Sequence, residues 1–101
     1  MDSKQFQKTV EKGTFLVDFN ASWCAPCKLQ EPIIHNVGDK FKDKISVIFV
    51  NIDENRALAT DFMVQSIPTL IIFKDGVEEE RFIGLQTEKA IEEKLNQIID
   101  Q

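Results

Sequence analysis

Two thiols three positions apart, Cys24 and Cys27, are the only cysteines of the chain, and they stand beside its only tryptophan in Trp23-Cys24-Ala25-Pro26-Cys27. Cysteines at this spacing suit two kinds of chemistry. One is exchange with a disulfide, in which one thiolate attacks and the second thiol resolves the mixed disulfide. The other is half of a structural zinc site, which wants four ligands. Beyond the thiols the chain offers only one histidine, His35, and carboxylates, so a complete zinc site would need two chains to share ligands. No metal is expected, and His35 reads as a surface residue. A third reading, a small buried pair with no chemistry, fits the placement poorly. An apolar run ending near Ala21 gives way to a helical pattern from Lys28. The thiols therefore fall where a strand hands over to a helix N-terminus, whose unpaired N–H groups and partial positive charge favour thiolate over thiol.

The elements that would position this pair follow from periodicity. Phe15-Leu16-Val17-Asp18-Phe19 is apolar on both alternating faces, as a central strand covered on both sides should be, with Asp18 as the exception. Leu29, Ile33, Val37 and Phe41 recur at fours, with Ile34 close by, which predicts an amphipathic helix over about residues 27 to 42 with one face on a sheet. Pro32 lies inside it and predicts a kink rather than a break, because the pattern continues in phase beyond it. Ser3 to Lys12 reads as a short helix capped by Ser3 or Asp2, with Gly13 past its end. Ile45 to Ile52 is a second apolar strand, and Arg56 to Met63 a short helix with Asn55 as its cap. Thr69 to Phe73 and Glu79 to Ile83 are strands joined through Lys74-Asp75-Gly76-Val77, where Asp-Gly marks an antiparallel hairpin. A last helix from about Thr87 carries Ile91, Leu95, Ile98 and Ile99 on one stripe. A strand-helix-strand unit with a right-handed crossover makes the first two strands parallel, so the expected architecture is α/β, a mixed sheet of about four strands with helices on both faces.

Several of these pieces, in this order, resemble a thioredoxin from about Phe6 to Ile99. They are Val17-Asp18-Phe19 leading into Ala21-Ser22-Trp23-Cys24-Ala25-Pro26-Cys27-Lys28, then Pro32, Asn51-Ile52-Asp53, Ile67-Pro68-Thr69, Phe73-Lys74-Asp75-Gly76 and Gly84. The resemblance implies a thioredoxin fold lacking an extra N-terminal strand, and a protein disulfide reductase. It makes Cys24 the exposed nucleophile and Cys27 the buried resolving thiol, the two forming a redox-active disulfide. Asp18 is implied as the group that takes the resolving thiol's proton, against the alternative of a structural carboxylate paired with a lysine. Pro68 is implied to be a cis-proline beside the cysteines, where an extended substrate can add main-chain hydrogen bonds. Trp23, Ala25, Pro26, Ile67 and Gly84 would complete an apolar collar for substrates. No cofactor is expected to be bound; electrons would come from a separate thioredoxin reductase. The chain departs from the pattern at Ala25, often glycine, at Asn20, often aromatic, and at Phe49, where a lysine often partners the buried aspartate. Met63 and Ser66 also replace residues that are often glycine. The alternatives to a reductase are a partner-binding module with incidental thiols, and an isomerase or oxidant of raised potential.

Composition narrows the partners. A chain of 101 residues with 43% hydrophobic side chains reads as one domain, residues 1–101, able to bury a core without staples. A net charge of -5 leaves no electrostatic footprint for nucleic acid or anionic membrane, and no apolar run is long enough to span a bilayer. The polar N-terminus leads into no apolar leader, so a cytoplasmic setting is expected. A monomer is expected as well, with edge-to-edge pairing through Ile45–Ile52 as the alternative, since loss of an extra strand would expose that edge.

Overall fold

The computed structural model describes residues 1–101. Its elements run α1 (Ser3–Thr9), β1 (Thr14–Asn20), α2 (Ala25–Lys40), β2 (Ile45–Asn51), α3 (Arg56–Asp61), β3 (Thr69–Lys74), β4 (Val77–Ile83) and α4 (Glu88–Ile99). One four-stranded sheet has the order β2-β1-β3-β4, with β1 parallel to β2 and the other neighbours antiparallel. This is the expected mixed sheet, and β2 is one of its edges.

Side chains on a strand alternate faces, so each strand feeds two cores. Leu16, Leu70 and Ile72 face α2 and α4, packing with Ile34, Val37, Phe41, Ile91, Leu95 and Ile98. Val17, Phe19, Ile71 and Phe73 face the other way, against Phe6, Val10 and Leu58 from α1 and α3. There the rings of Phe6, Phe62 and Phe73 meet edge-on, with centroids 5.1 to 5.6 Å apart. Asp18 shares the parity of Leu16, which puts its carboxyl on the face covered by α2.

Several boundaries differ from the periodicity reading. The first helix stops at Thr9 rather than Lys12, and Asp2 caps it, accepting from the Gln5 N–H while the Gln5 side chain accepts from the Asp2 N–H. α3 ends at Asp61, and Met63 just beyond takes a left-handed φ of 54°. Asn55 holds the N-cap position but does not cap, because its amide donates to the Asn51 carbonyl and its oxygen accepts from the N-terminal amine. β4 begins two residues early, at Val77. The largest correction concerns α2. Its buried stripe is Cys27, Gln30, Ile34 and Val37, whereas Leu29 is 63% exposed. Pro32 lies inside this single helix, as expected.

The hairpin turn is the expected Asp75-Gly76, both at positive φ, 50° and 83°. Two such residues match the twist of the flanking strands. The Asp75 carboxyl also accepts from the Gly13 N–H at 2.8 Å, tying the turn to the end of the α1–β1 connection.

Candidate active site

Cys24 is the N-cap of α2, extended at φ -93° and ψ 108°, and the next three residues, Ala25, Pro26 and Cys27, open the helix. Pro26 suits the first turn because a residue there has no intrahelical partner for an N–H. The spacing of three places Cys27 one turn from Cys24, and the two sulfurs are bonded, with Cα atoms 5.3 Å apart. The Cys27 N–H donates to the Cys24 sulfur at 3.2 Å. Exposure does not separate the two thiols as expected: Cys24 is 5% and Cys27 4% exposed. Bonded together, they pack with Ala21 and against Ile52 and Ile67.

Behind the pair lies Asp18, 1% exposed, with neither carboxyl oxygen hydrogen-bonded. Its register partners are Phe49 on β2 and Leu70 on β3, so no lysine stands opposite it. Burial pushes its pKa from 3.8 up to about 7, and the nearby Glu31 carboxylate adds to the rise. The neighbouring Asn20 side chain opposes this rise without cancelling it, and its amide donates to Asp18's own main-chain carbonyl at 3.0 Å. A cleft of about 300 Å³ between α2 and β2 reaches both Asp18 and Cys27, and Asn20, Lys28, Glu31, Phe49 and Asn51 line its walls.

Across from the thiols, the Ile67–Pro68 peptide is cis. Ile67 is half-buried against the cysteines, and the Pro68 carbonyl accepts from the Gly84 N–H at 2.8 Å. Gly84 has φ 93° and no heavy atom within 4 Å of where a Cβ would stand, so its outer face is open. The Thr69 hydroxyl donates to the Ser66 carbonyl at 2.6 Å and holds the turn before Pro68. Trp23 is 67% exposed, its indole N–H donating to Asp53 at 2.8 Å, and Ala25 and Pro26 are exposed beside it. The sequence-predicted residues thus gather at one end of the sheet. His35 stands apart, 3.7 Å from Glu31 and against the Phe49 ring at 5.0 Å. The His, Cys, Asp and Glu side chains form no group of three or more that could hold a metal ion.

Sequence reasoning missed Glu31 and Gln30, and it placed Asn51 in the Asn51-Ile52-Asp53 motif without giving it a place at the site. Glu31 carries no signal of its own, since it and Asn51 come together only in the cleft. Gln30 is fully buried and bonded to the main chain of Gln86, and only the failure of a strict fourfold stripe could have pointed to it.

A family model described as Thioredoxin matches residues 1–97 of the chain. A thioredoxin of Staphylococcus aureus is 38% identical over 91 residues, covering 90% of this chain and 88% of that protein. One from Staphylococcus haemolyticus is 37% identical over the same share. Among solved structures, a mutant thioredoxin from Halobacterium salinarum NRC-1 superposes with a TM-score of 0.86 at 32% identity, covering 96% of this chain and 85% of that one.

Proposed function

This chain belongs to the thioredoxin family and is a thiol-disulfide oxidoreductase, and from that premise we propose how its own residues divide the work of reducing protein disulfides. The observation that carries the reading is the Cys24–Cys27 pair at the N-terminus of α2, with the Cys27 N–H aimed at the Cys24 sulfur.

In the reduced protein the Cys24 thiolate, favoured by that N–H and by the helix N-terminus, attacks one sulfur of a substrate disulfide. The substrate's other sulfur leaves as a thiolate. Asp18 takes the proton of Cys27, directly or through a water in the cleft, and the Cys27 thiolate attacks the Cys24 sulfur. This forms the Cys24–Cys27 disulfide and releases the second substrate thiolate. A pKa of about 7 leaves Asp18 substantially ionised at neutral pH and therefore able to accept.

The main chain at Ile67, Pro68 and Gly84 receives an extended substrate segment, while Trp23, Ala25 and Pro26 supply the apolar surround. Two electrons return through a second round of exchange with a separate thioredoxin reductase, so no bound cofactor enters the cycle. No helix is long and apolar enough to cross a membrane. A cytoplasmic setting, where thiols are kept reduced, suits this direction of transfer.

The test is reduction of insulin with dithiothreitol or with thioredoxin reductase as electron source. The wild type should precipitate insulin chains and Cys24→Ser should not. Equal activity of the two would make the thiols incidental to a binding module. A potential well above the thioredoxin reference of about -270 mV would make the protein an oxidant or isomerase instead.

A further inference from the structure

We infer that Gln30 is a positioning residue whose buried side-chain amide ties the cysteine-bearing helix to the Gly84–Gln86 segment, and so holds the groove in which a protein disulfide docks. The inference rests on the reading of Pro68 and Gly84 as the docking backbone.

Gln30 lies three residues past Cys27 on α2 and is 0% exposed. A buried primary amide needs partners for both its ends. Here one residue's main chain supplies both: the Gln86 N–H donates to Oε1 at 2.7 Å, and Nε2 donates to the Gln86 carbonyl at 3.1 Å. The side chain acts as a one-residue strand partner, so it fixes the orientation of that peptide as well as its distance.

From Gln86 the connection runs on to the docking backbone. The Gln86 Nε2 donates to the Gly84 carbonyl at 3.3 Å, and the Gly84 N–H donates to the Pro68 carbonyl at 2.8 Å. A continuous path of hydrogen bonds thus joins the thiol helix, the open glycine and the cis-proline. Burial alone does not call for this arrangement. The next residues on the stripe, Ile34 and Val37, fill the same face with aliphatic side chains and are equally buried. An aliphatic residue at position 30 could fill the space but would leave the Gln86 N–H and carbonyl without partners.

The held segment also carries Leu85, 46% exposed, between the two bonded residues. A substrate chain laid along Pro68 and Gly84 meets a segment already ordered and does not have to order it on binding. A small disulfide that reaches only Cys24 gains nothing from that.

The experiment compares wild type with Gln30→Met, an apolar side chain of the same length, and Gln30→Leu, a shorter branched one of roughly similar size. Three readouts are taken on the same samples: steady-state reduction of insulin, the rate with 5,5′-dithiobis(2-nitrobenzoic acid), and amide hydrogen exchange at Gln86 and Gly84. Exchange at Gln86 should rise by about tenfold or more. The insulin KM should rise by roughly three- to tenfold with kcat within about twofold, while the small-disulfide rate stays within about twofold. That last rate shows that the dithiol and the fold around it are intact in whichever variant is used. Faster exchange with an unchanged insulin KM would overturn the inference, as would unchanged exchange at Gln86. A wild type that reacts with the small disulfide but not with insulin would instead overturn the docking reading beneath it.

Discussion

Neither neighbouring strand sets a cation opposite Asp18, whose register partners are Phe49 and Leu70, and no donor is bonded to its carboxyl oxygens. The charged groups that share its cleft, Lys28 and Glu31, both come from α2, and β2 contributes only Phe49 and Asn51. Glu31 reinforces the effect of burial in raising the pKa. That rise ties stability to pH. Below about pH 4 folded and unfolded chains both hold this proton; between 3.8 and about 7 only the folded chain does. Stability from this group is therefore present in full at low pH and falls by about 1.4 kcal/mol per pH unit across that window, about 4 kcal/mol in all as an upper bound. Asp18→Ala removes the penalty and leaves a small cavity. The variant should be more stable than wild type by about 1–3 kcal/mol at pH 8 and show little gain at pH 4–5. Urea unfolding at the two pH values measures this, and an equal difference at both would refute the assignment. The same variant should slow insulin reduction, because Cys27 loses its proton acceptor.

At the scale of elements, what could be read in advance was what depends on near neighbours in the chain. Cys24 and Cys27 announced a strand-to-helix junction because both flanking patterns are local, and Asp18 stood out because a charge interrupts an apolar strand. α2 shows where this stops. A ladder of fours drifts by about 40° at each step around a helix of 3.6 residues per turn, so Leu29 and Val37 do not share a face fully. The structure resolves the ambiguity by burying polar Gln30 and exposing Leu29, a choice decided by Gln86, 56 positions away. The cleft was hidden for the same reason, since Glu31 and Asn51 meet only once β2 lies beside α2. The hairpin is the opposite case. Asp75-Gly76 states its own turn, and Gly76 at φ 83° carries a conformation that other residues adopt at a cost. A Cβ there would meet Glu11 main-chain atoms no closer than 3.7 Å, ordinary contact, so the cost of Gly76→Ala is conformational rather than steric. Thermal unfolding should show a loss of about 1 kcal/mol, or a Tm lower by roughly 4–8 °C. The hairpin lies far along β3 and β4 from the thiols, so the small-disulfide rate should not change. A Tm equal to wild type would mean that the turn relaxes to another type.

For the whole molecule the open question is set by the two edges of the sheet. β4 carries Glu78, Glu79, Glu80 and Arg81, charges that discourage a further strand. β2, Ile-Ser-Val-Ile-Phe-Val-Asn, has no charge or proline within it, and Phe49 is 40% exposed on it. By itself such an edge invites pairing. Two features oppose it. Lys42 and Lys44 precede the strand and Asp53 and Glu54 follow it, so hydrated charges flank both ends of a short ladder. Each copy also carries a net charge of -5, so approach of a second copy is repelled at long range. A contact limited to one seven-residue edge buries less than the roughly 1,000 Å² that a specific interface needs. The protein should therefore scatter light as an 11.6 kDa monomer, and should do so up to about millimolar concentration in moderate salt. A mass that climbs with concentration, and climbs further as salt screens the net charge, would instead show that the β2 edge overcomes that repulsion. In that case Phe49→Lys, a charge placed at the centre of the edge, should return the mass to that of the monomer.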